Sequence, residues 1–293
     1  MVFLIALGLV SADGLAEAAR DWRAAVAQVS RFAPDARIVV LDAATGKLLA
    51  SRRFDQAART LAAPGSTLKP LVLYGLLAEG RWDPERRVAC DRQLTVAGRR
   101  LGCTHPLAPP FNAREALTWS CNTYFAEAAR SLNPGELQRL LQPTGLLGET
   151  GLGSGEATAE FREPRSPEEN ELALLGVEGI RVTPLELAAA YRWLARQIAS
   201  HPGTNAASVV LGGLEDSTSY GMAGAAGLGG VPIAGKTGTA EGAVSSRTHG
   251  WFAGLAPAED PQVVVVVYLP AGRGADAARV AGELLARSPL EQR

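Results

Sequence analysis

Apolar residues recur at helical spacing near the start of the chain. Leu15, Ala18, Trp22, Ala25, Val26 and Val29 share one face and predict a helix over residues 14–32. The pattern then changes to runs of two to four apolar residues around a turn. ARIVVLD, the turn Ala44-Thr45-Gly46 and KLLAS predict a β-hairpin. Residues 52–63 are polar and read as a loop. Pro64-Gly65-Ser66 opens a helix that runs to Glu79 and stops at Gly80. Residues 81–112 are loop-rich, with a short hairpin turning at Ala97-Gly98. Helical periods follow at 113–118, 122–132 and 134–142, then a Gly- and Pro-rich loop over 145–167. A long helix is predicted over 183–199, and a mixed stretch over 200–230. Strands are expected at 231–240, 249–256 and 262–269, and a closing amphipathic helix at 274–288. Strands at both ends with helices between them imply an α+β fold. One antiparallel sheet is built from distant halves of the chain, with a helical insertion.

Composition narrows the classes. The chain has 293 residues, 47% hydrophobic and 20% charged, enough apolar material for a sizeable core. A net charge of −1 weighs against nucleic acid as a partner. No apolar run reaches the ~18 residues of a membrane-spanning helix. Val2 to Val10 followed by Val10-Ser11-Ala12 has the form of a secretory signal core, although no Lys or Arg precedes Arg20. Residues 1–12 are read as a signal or anchor remnant, the alternatives being a true start that lies upstream and a buried segment. An extracytoplasmic protein is expected, with residues 13–293 forming one domain.

The cysteines bear on the same question. Cys90 and Cys103 flank the predicted hairpin RQLTVAGRRLG, and in an oxidising compartment a disulfide across it is expected. The alternative is two unrelated thiols. Cys121 is left over and reads as a small buried hydrophobe. No Cys/His spacing marks a zinc site, His105, His201 and His249 are scattered, and neither a metal nor a cofactor is expected.

Of 29 basic residues only Lys47, Lys69 and Lys236 are lysine. A bias that strong reflects genome composition first, but lysine can lose its proton at working pH and arginine cannot, so it raises the question of whether a retained lysine serves as an amine. Lys69 lies three residues after Ser66. On a helix that spacing puts hydroxyl and amine on one face, where a neutral lysine can take the serine proton. Lys236-Thr237-Gly238-Thr239 lies on a predicted strand, and a glycine there permits close approach of another backbone. It is not a phosphate loop, because the glycine spacing is wrong. Ser120-Cys121-Asn122 falls at the break between two helices and alone reads only as a cap.

Taken together, Ser66-x-x-Lys69, Ser120-x-Asn122 and Lys236-Thr237-Gly238 resemble the three motifs of the penicillin-binding protein and serine β-lactamase superfamily. The flanks LDAATGKLLAS, APGSTLKP, the two cysteines before His105-Pro106, SCNTYF, GIRVTPLELAAAY, AGKTGTA and GWFAGLAP resemble its transpeptidase domains most. The likeness spans roughly residues 36–270. It implies a five-stranded antiparallel sheet flanked by helices, with an inserted all-helical lobe at about 81–200. It also implies roles: Ser66 as acylated nucleophile, Lys69 as its base, and Ser120 as proton relay. Lys236 would depress the pKa of Lys69. Asn122, Thr237, Gly238 and Thr239 would bind substrate. The backbone N–H groups of Ser66 and Thr239 would form the oxyanion hole.

The implied substrates are D-Ala-D-Ala stem peptides of peptidoglycan, processed by D,D-transpeptidase or D,D-carboxypeptidase chemistry. β-Lactams would be covalent inhibitors and cell-wall synthesis proteins partners. Alternatives are a serine β-lactamase and a non-catalytic sensing module. Against the first, Glu169-Asn170-Glu171-Leu172 is followed by Ala173, which breaks the E-x-x-L-N pattern of one β-lactamase class. GVEG at 176–179 has no reading from sequence. His249 is expected to be a strand-end polar group, Trp251 and Phe252 core or cleft wall, and Lys47 a hairpin residue.

Overall fold

The computed structural model describes residues 12–241 and 247–290. Val2–Val10, the predicted signal core, lies outside them. The sheet forms because two apolar runs from opposite ends of the chain pair side by side. Strand β1 (Arg37–Asp42) folds back on β2 (Leu48–Arg52), and on its other edge it pairs with β5 (Val263–Leu269). Strands β3 (Ala234–Glu241) and β4 (Thr248–Ala256) complete an antiparallel sheet of order β2-β1-β5-β4-β3.

Side chains alternate across a pleated strand, so one run can serve two cores. Val39, Leu41, Val264 and Val266 face the core shared with the helical lobe. Ile38, Val40, Val265 and Val267 face the opposite core, which is closed by α1 (Ala12–Val29) and α8 (Gly274–Leu285). A fully buried valine stabilises by about 1.5–3 kcal/mol, which accounts for an unbroken VVVVVYL strand.

The lobe is built around α3 (Lys69–Ala78), which has buried residues on every side, as expected of a helix surrounded by protein. Around it lie α4 (Ala113–Thr118), α5 (Asn122–Arg130) and α6 (Pro184–Ser200). Asn112 and Glu115 cap α4 reciprocally, and Thr183 and Glu186 do the same for α6. The small hairpin is present: Thr95–Val96 pairs with Arg99–Arg100, and Ala97 and Gly98 both have positive φ, the backbone of a tight two-residue turn.

Two segments differ from the sequence expectation. Residues 52–63 contain α2 (Phe54–Arg59), which buries Ala57 and Ala58. Within 200–230 lies α7 (Asn205–Ser219), capped by Thr204. Its Gly212 and Gly213 let α7 approach α4. A Cβ on Gly213 would stand 3.0 Å from Leu117, and one on Gly212 would stand 2.6 Å from Arg114. Tertiary packing outweighs the ~1 kcal/mol propensity cost of each glycine. Among the described residues, no helix is long and apolar enough to cross a membrane.

Candidate active site

Ser66 stands in a 3-10 turn, Gly65–Leu68, that leads into α3. The amides of a helix's first turn have no intrahelical acceptor, so Ser66 N–H is available to an anion. Three contacts hold this turn. Gly65 N–H donates to Gly176 O at 2.8 Å. His249 Nε2–H and Trp251 Nε1–H both donate to Ala63 O, at 2.8 and 2.9 Å. Gly65 itself has φ +55, and a Cβ there would lie 3.0 Å from Thr239 N. The turn and strand β3 thus touch backbone to backbone, which sets the amides of Ser66 and Thr239 near one another.

GVEG now has a physical reading. Gly176 has φ +69, and a Cβ on it would fall 2.2 Å from Gly65 O. Only glycine fits beneath the Ser66 turn. His249 is a strand residue, as expected, and also a support for that turn. Burial lowers its pKa, consistent with a neutral ring donating through Nε2.

Lys69 is fully buried. Its Nζ donates to Asn122 Oδ1 at 2.6 Å, to Ser120 O at 2.9 Å and to Ser120 Oγ at 3.3 Å, and lies 5.0 Å from the centre of the Phe125 ring. Burial lowers its pKa to about 8. No hydrogen bond joins it to Ser66 Oγ. Ser120 occupies the left-handed region at φ 54, an uncommon conformation for serine, and it does so at the break between α4 and α5. Asn122 Nδ2 donates to Leu101 O at 2.8 Å, which ties the second motif to the small hairpin.

Lys236 and Thr237 are buried on β3, and Lys236 Nζ donates to Thr237 O at 3.1 Å. Burial first, and then the charge of Lys69, push the Lys236 amine far below its ordinary pKa. Burial is the main cause at both amines, which are each held below the ordinary lysine value. Lys69 has three acceptors to stabilise its charge and Lys236 has one. No hydrogen bond joins Lys236 to Ser120. A Cβ on Gly238 would sit 2.5 Å from Pro64 O, so this glycine serves the approach of strand to turn. Thr239 is exposed, and its Oγ1 accepts from Gly274 N–H at 2.8 Å.

Two cavities, of about 520 and 510 Å3, meet at Ser66, Gly102, Asn122 and Thr239. One extends past Arg99, Val177 and Glu241. Arg99 pairs there with Glu178 at 3.1 Å and Glu241 at 3.6 Å, which links the hairpin to both walls. The other extends past Ser120, Thr237, Trp119 and Arg273. Arg273 precedes α8 and was not singled out from sequence, because nothing local distinguishes it among 26 arginines. Neither Glu169 nor Glu171 lines these cavities. Glu171 pairs with Arg130 at 2.8 Å, and Glu169 accepts from Arg165 N–H.

The cysteine expectation changes. Cys90 and Cys103 are thiols with Sγ atoms 3.6 Å apart, and the expected bridge is not formed. Cys121 is not left over: its Sγ is 4.0 Å from that of Cys103. His105 is not scattered either, since it joins the three thiols in one cluster.

A serine at the mouth of a sheet-and-lobe cleft, with a buried lysine behind it, is faced by a Ser-x-Asn helix break and a Lys-Thr-Gly strand, the layout of a transpeptidase-type domain. The chain belongs to the penicillin-binding protein transpeptidase domain family, which matches residues 36–288. Penicillin-binding protein 1A of Neisseria meningitidis serogroup A is 27% identical over 282 residues. The match covers 79% of this chain and 32% of that relative, so the chain spans about a third of its length. Among solved structures, Pseudomonas aeruginosa PBP2 in complex with WCK 5153 aligns with TM-score 0.78 at 22% identity, over 92% of this chain and 74% of that one. The transpeptidase domain of Burkholderia pseudomallei penicillin-binding protein 3 aligns with TM-score 0.76 at 22% identity, over 94% and 92%. At these identities the structural likeness speaks to fold.

Proposed function

We propose that this protein is a serine acyl-transferase acting on the D-Ala-D-Ala ends of peptidoglycan stem peptides outside the cytoplasm, and that penicillins acylate it at Ser66. The observation that carries the reading is the Lys69 amine. It is buried, its pKa is lowered to about 8, and it is held against Ser120 and Asn122 one helical turn from Ser66. Neutral Lys69 takes the Ser66 proton, and Ser66 Oγ attacks the penultimate D-Ala carbonyl. Negative charge develops on the carbonyl oxygen between the Ser66 and Thr239 amides, where one such donor contributes ~10²–10³ in rate. Ser120 passes the proton to the leaving D-Ala nitrogen. An amine or water then releases the acyl group.

Asn122 hydrogen-bonds the substrate amide, and Thr237 and Arg273 receive its carboxylate. Gly238 lets β3 lie close enough to the turn for the substrate to bind along it. Support for a transferase over a β-lactamase comes from Glu169 and Glu171, whose carboxylates are engaged away from Ser66. A labelled penicillin should attach to the protein in a single stoichiometric burst and fail to attach to Ser66→Ala. Steady turnover of a chromogenic β-lactam would favour a lactamase, and absence of labelling would defeat the proposal.

A further inference from the structure

We propose that Cys90, Cys103, His105 and Cys121 form a structural zinc site behind the Ser120-Cys121-Asn122 motif. The ligand atoms of all four residues lie within 4.8 Å of one another. The Sγ separations of 3.6 Å (Cys90–Cys103) and 4.0 Å (Cys103–Cys121) bracket the edge of a zinc tetrahedron, roughly 3.8 Å for Zn–S bonds of about 2.3 Å.

His105 supplies the second, independent observation. It is 1% exposed, and its Nε2 is buried with no hydrogen-bond partner. Nδ1 lies 2.7 Å from Pro106 O, and a carbonyl can only accept, so Nδ1 carries the proton. Nε2 is therefore a bare lone pair, with its tautomer set by a backbone carbonyl as in metal-bound histidines. A Cys90–Cys103 disulfide would leave that lone pair and Cys121 without partners. A metal satisfies all four groups.

The sulfurs are supported as thiolates would be. Asn122 N–H donates to Cys103 Sγ at 3.0 Å, Arg92 N–H to Cys90 Sγ at 3.4 Å, and Thr123 Oγ1 lies 3.2 Å from Cys90 Sγ. Three thiolates and one neutral imidazole select a soft, tetrahedral ion, and four protein ligands leave no position for substrate. On binding, the three thiols release their protons and no redox change occurs. Placement gives the ion its task. Cys121 lies between Ser120, which has positive φ, and Asn122, and Cys103 follows the Leu101-Gly102 segment that receives Asn122 Nδ2. The ion would clamp the small hairpin to the second motif and hold Ser120 and Asn122 toward Lys69.

The test is metal analysis of the full chain purified without chelator or metal-affinity steps. About one zinc per chain is expected, with three thiols titrating after denaturation in chelator. The double variant Cys103→Ser/Cys121→Ser should hold less than ~0.1 zinc. Because that variant can fail to fold, wild-type protein stripped of metal and loaded with cobalt(II) gives a second reading. Intense thiolate-to-cobalt absorption with tetrahedral visible bands is expected. One titrating thiol and no zinc would mean a disulfide and overturn the proposal, as would weak six-coordinate cobalt bands or zinc retained by the double variant. Ser66→Ala should bind zinc like the wild type, so the site stands or falls independently of acyl transfer.

Discussion

Lys69 Nζ donates to Asn122 Oδ1 at 2.6 Å, so the first and second motifs of the site are one hydrogen-bonded unit. That bond favours the charged amine while full burial opposes it, and burial wins, bringing the pKa down to about 8. A base must be neutral to act. Acylation by penicillin should therefore rise with pH through about 8 and level off above it. A rate that is flat from pH 6 to 10 would refute Lys69 as the base.

Lysine-to-arginine exchange separates the two buried amines. Lys69→Arg should reduce acylation by ~10³-fold or more, because a guanidinium does not give up its proton. Lys236→Arg retains a basic group, but Lys236 is fully buried and the larger head must displace packed neighbours. A loss of ~10–100-fold is expected. Second-order rate constants for labelled penicillin on both variants decide this, and equal losses would contradict the division of roles.

Gly176→Ala should be among the most damaging single changes outside the motifs. Its Cβ would need space occupied by Gly65 O, and its φ is already left-handed. A destabilisation of ~2–4 kcal/mol with loss of labelling is expected. Urea unfolding and labelling of the same preparation measure both.

His249→Phe removes one of two donors to Ala63 O. Stability should fall by about 1–3 kcal/mol, and acylation should slow without any change in the shape of its pH profile. A missing limb in that profile would instead make His249 a proton carrier.

Arg273→Ala should raise KM for a donor peptide ending in a free carboxylate by ~10-fold or more, with kcat little changed, and Arg273→Lys should recover part of it. An amide-capped donor should show no such difference. If both donors respond alike, Arg273 does not face the carboxylate.

Helix spacing placed Lys69 one turn from Ser66, and the strand carrying Lys236 to Thr239 was legible because both motifs are short and local. The same holds for the hairpin at Ala97-Gly98 and for β1, β2, β4 and β5, whose apolar runs need no distant partner to be recognised. Helix α7 was not legible, because its two glycines make sense only against Arg114 and Leu117. Nor could sequence show that Ser120 has positive φ, or that Lys69 and Lys236 are both fully buried.

The chain's own pattern thus determined the strands and most helices, and the three motifs were legible by their resemblance to a family, since each depends on residues within a few positions of one another. Tertiary structure decided what surrounds them. Gly176 under Gly65, His249 and Trp251 on Ala63, Arg273 in the cleft, and the meeting of Cys90, Cys103, His105 and Cys121 all join residues far apart in the chain. Loop closure and packing set such distances, and neither leaves a periodic trace in the order of the residues.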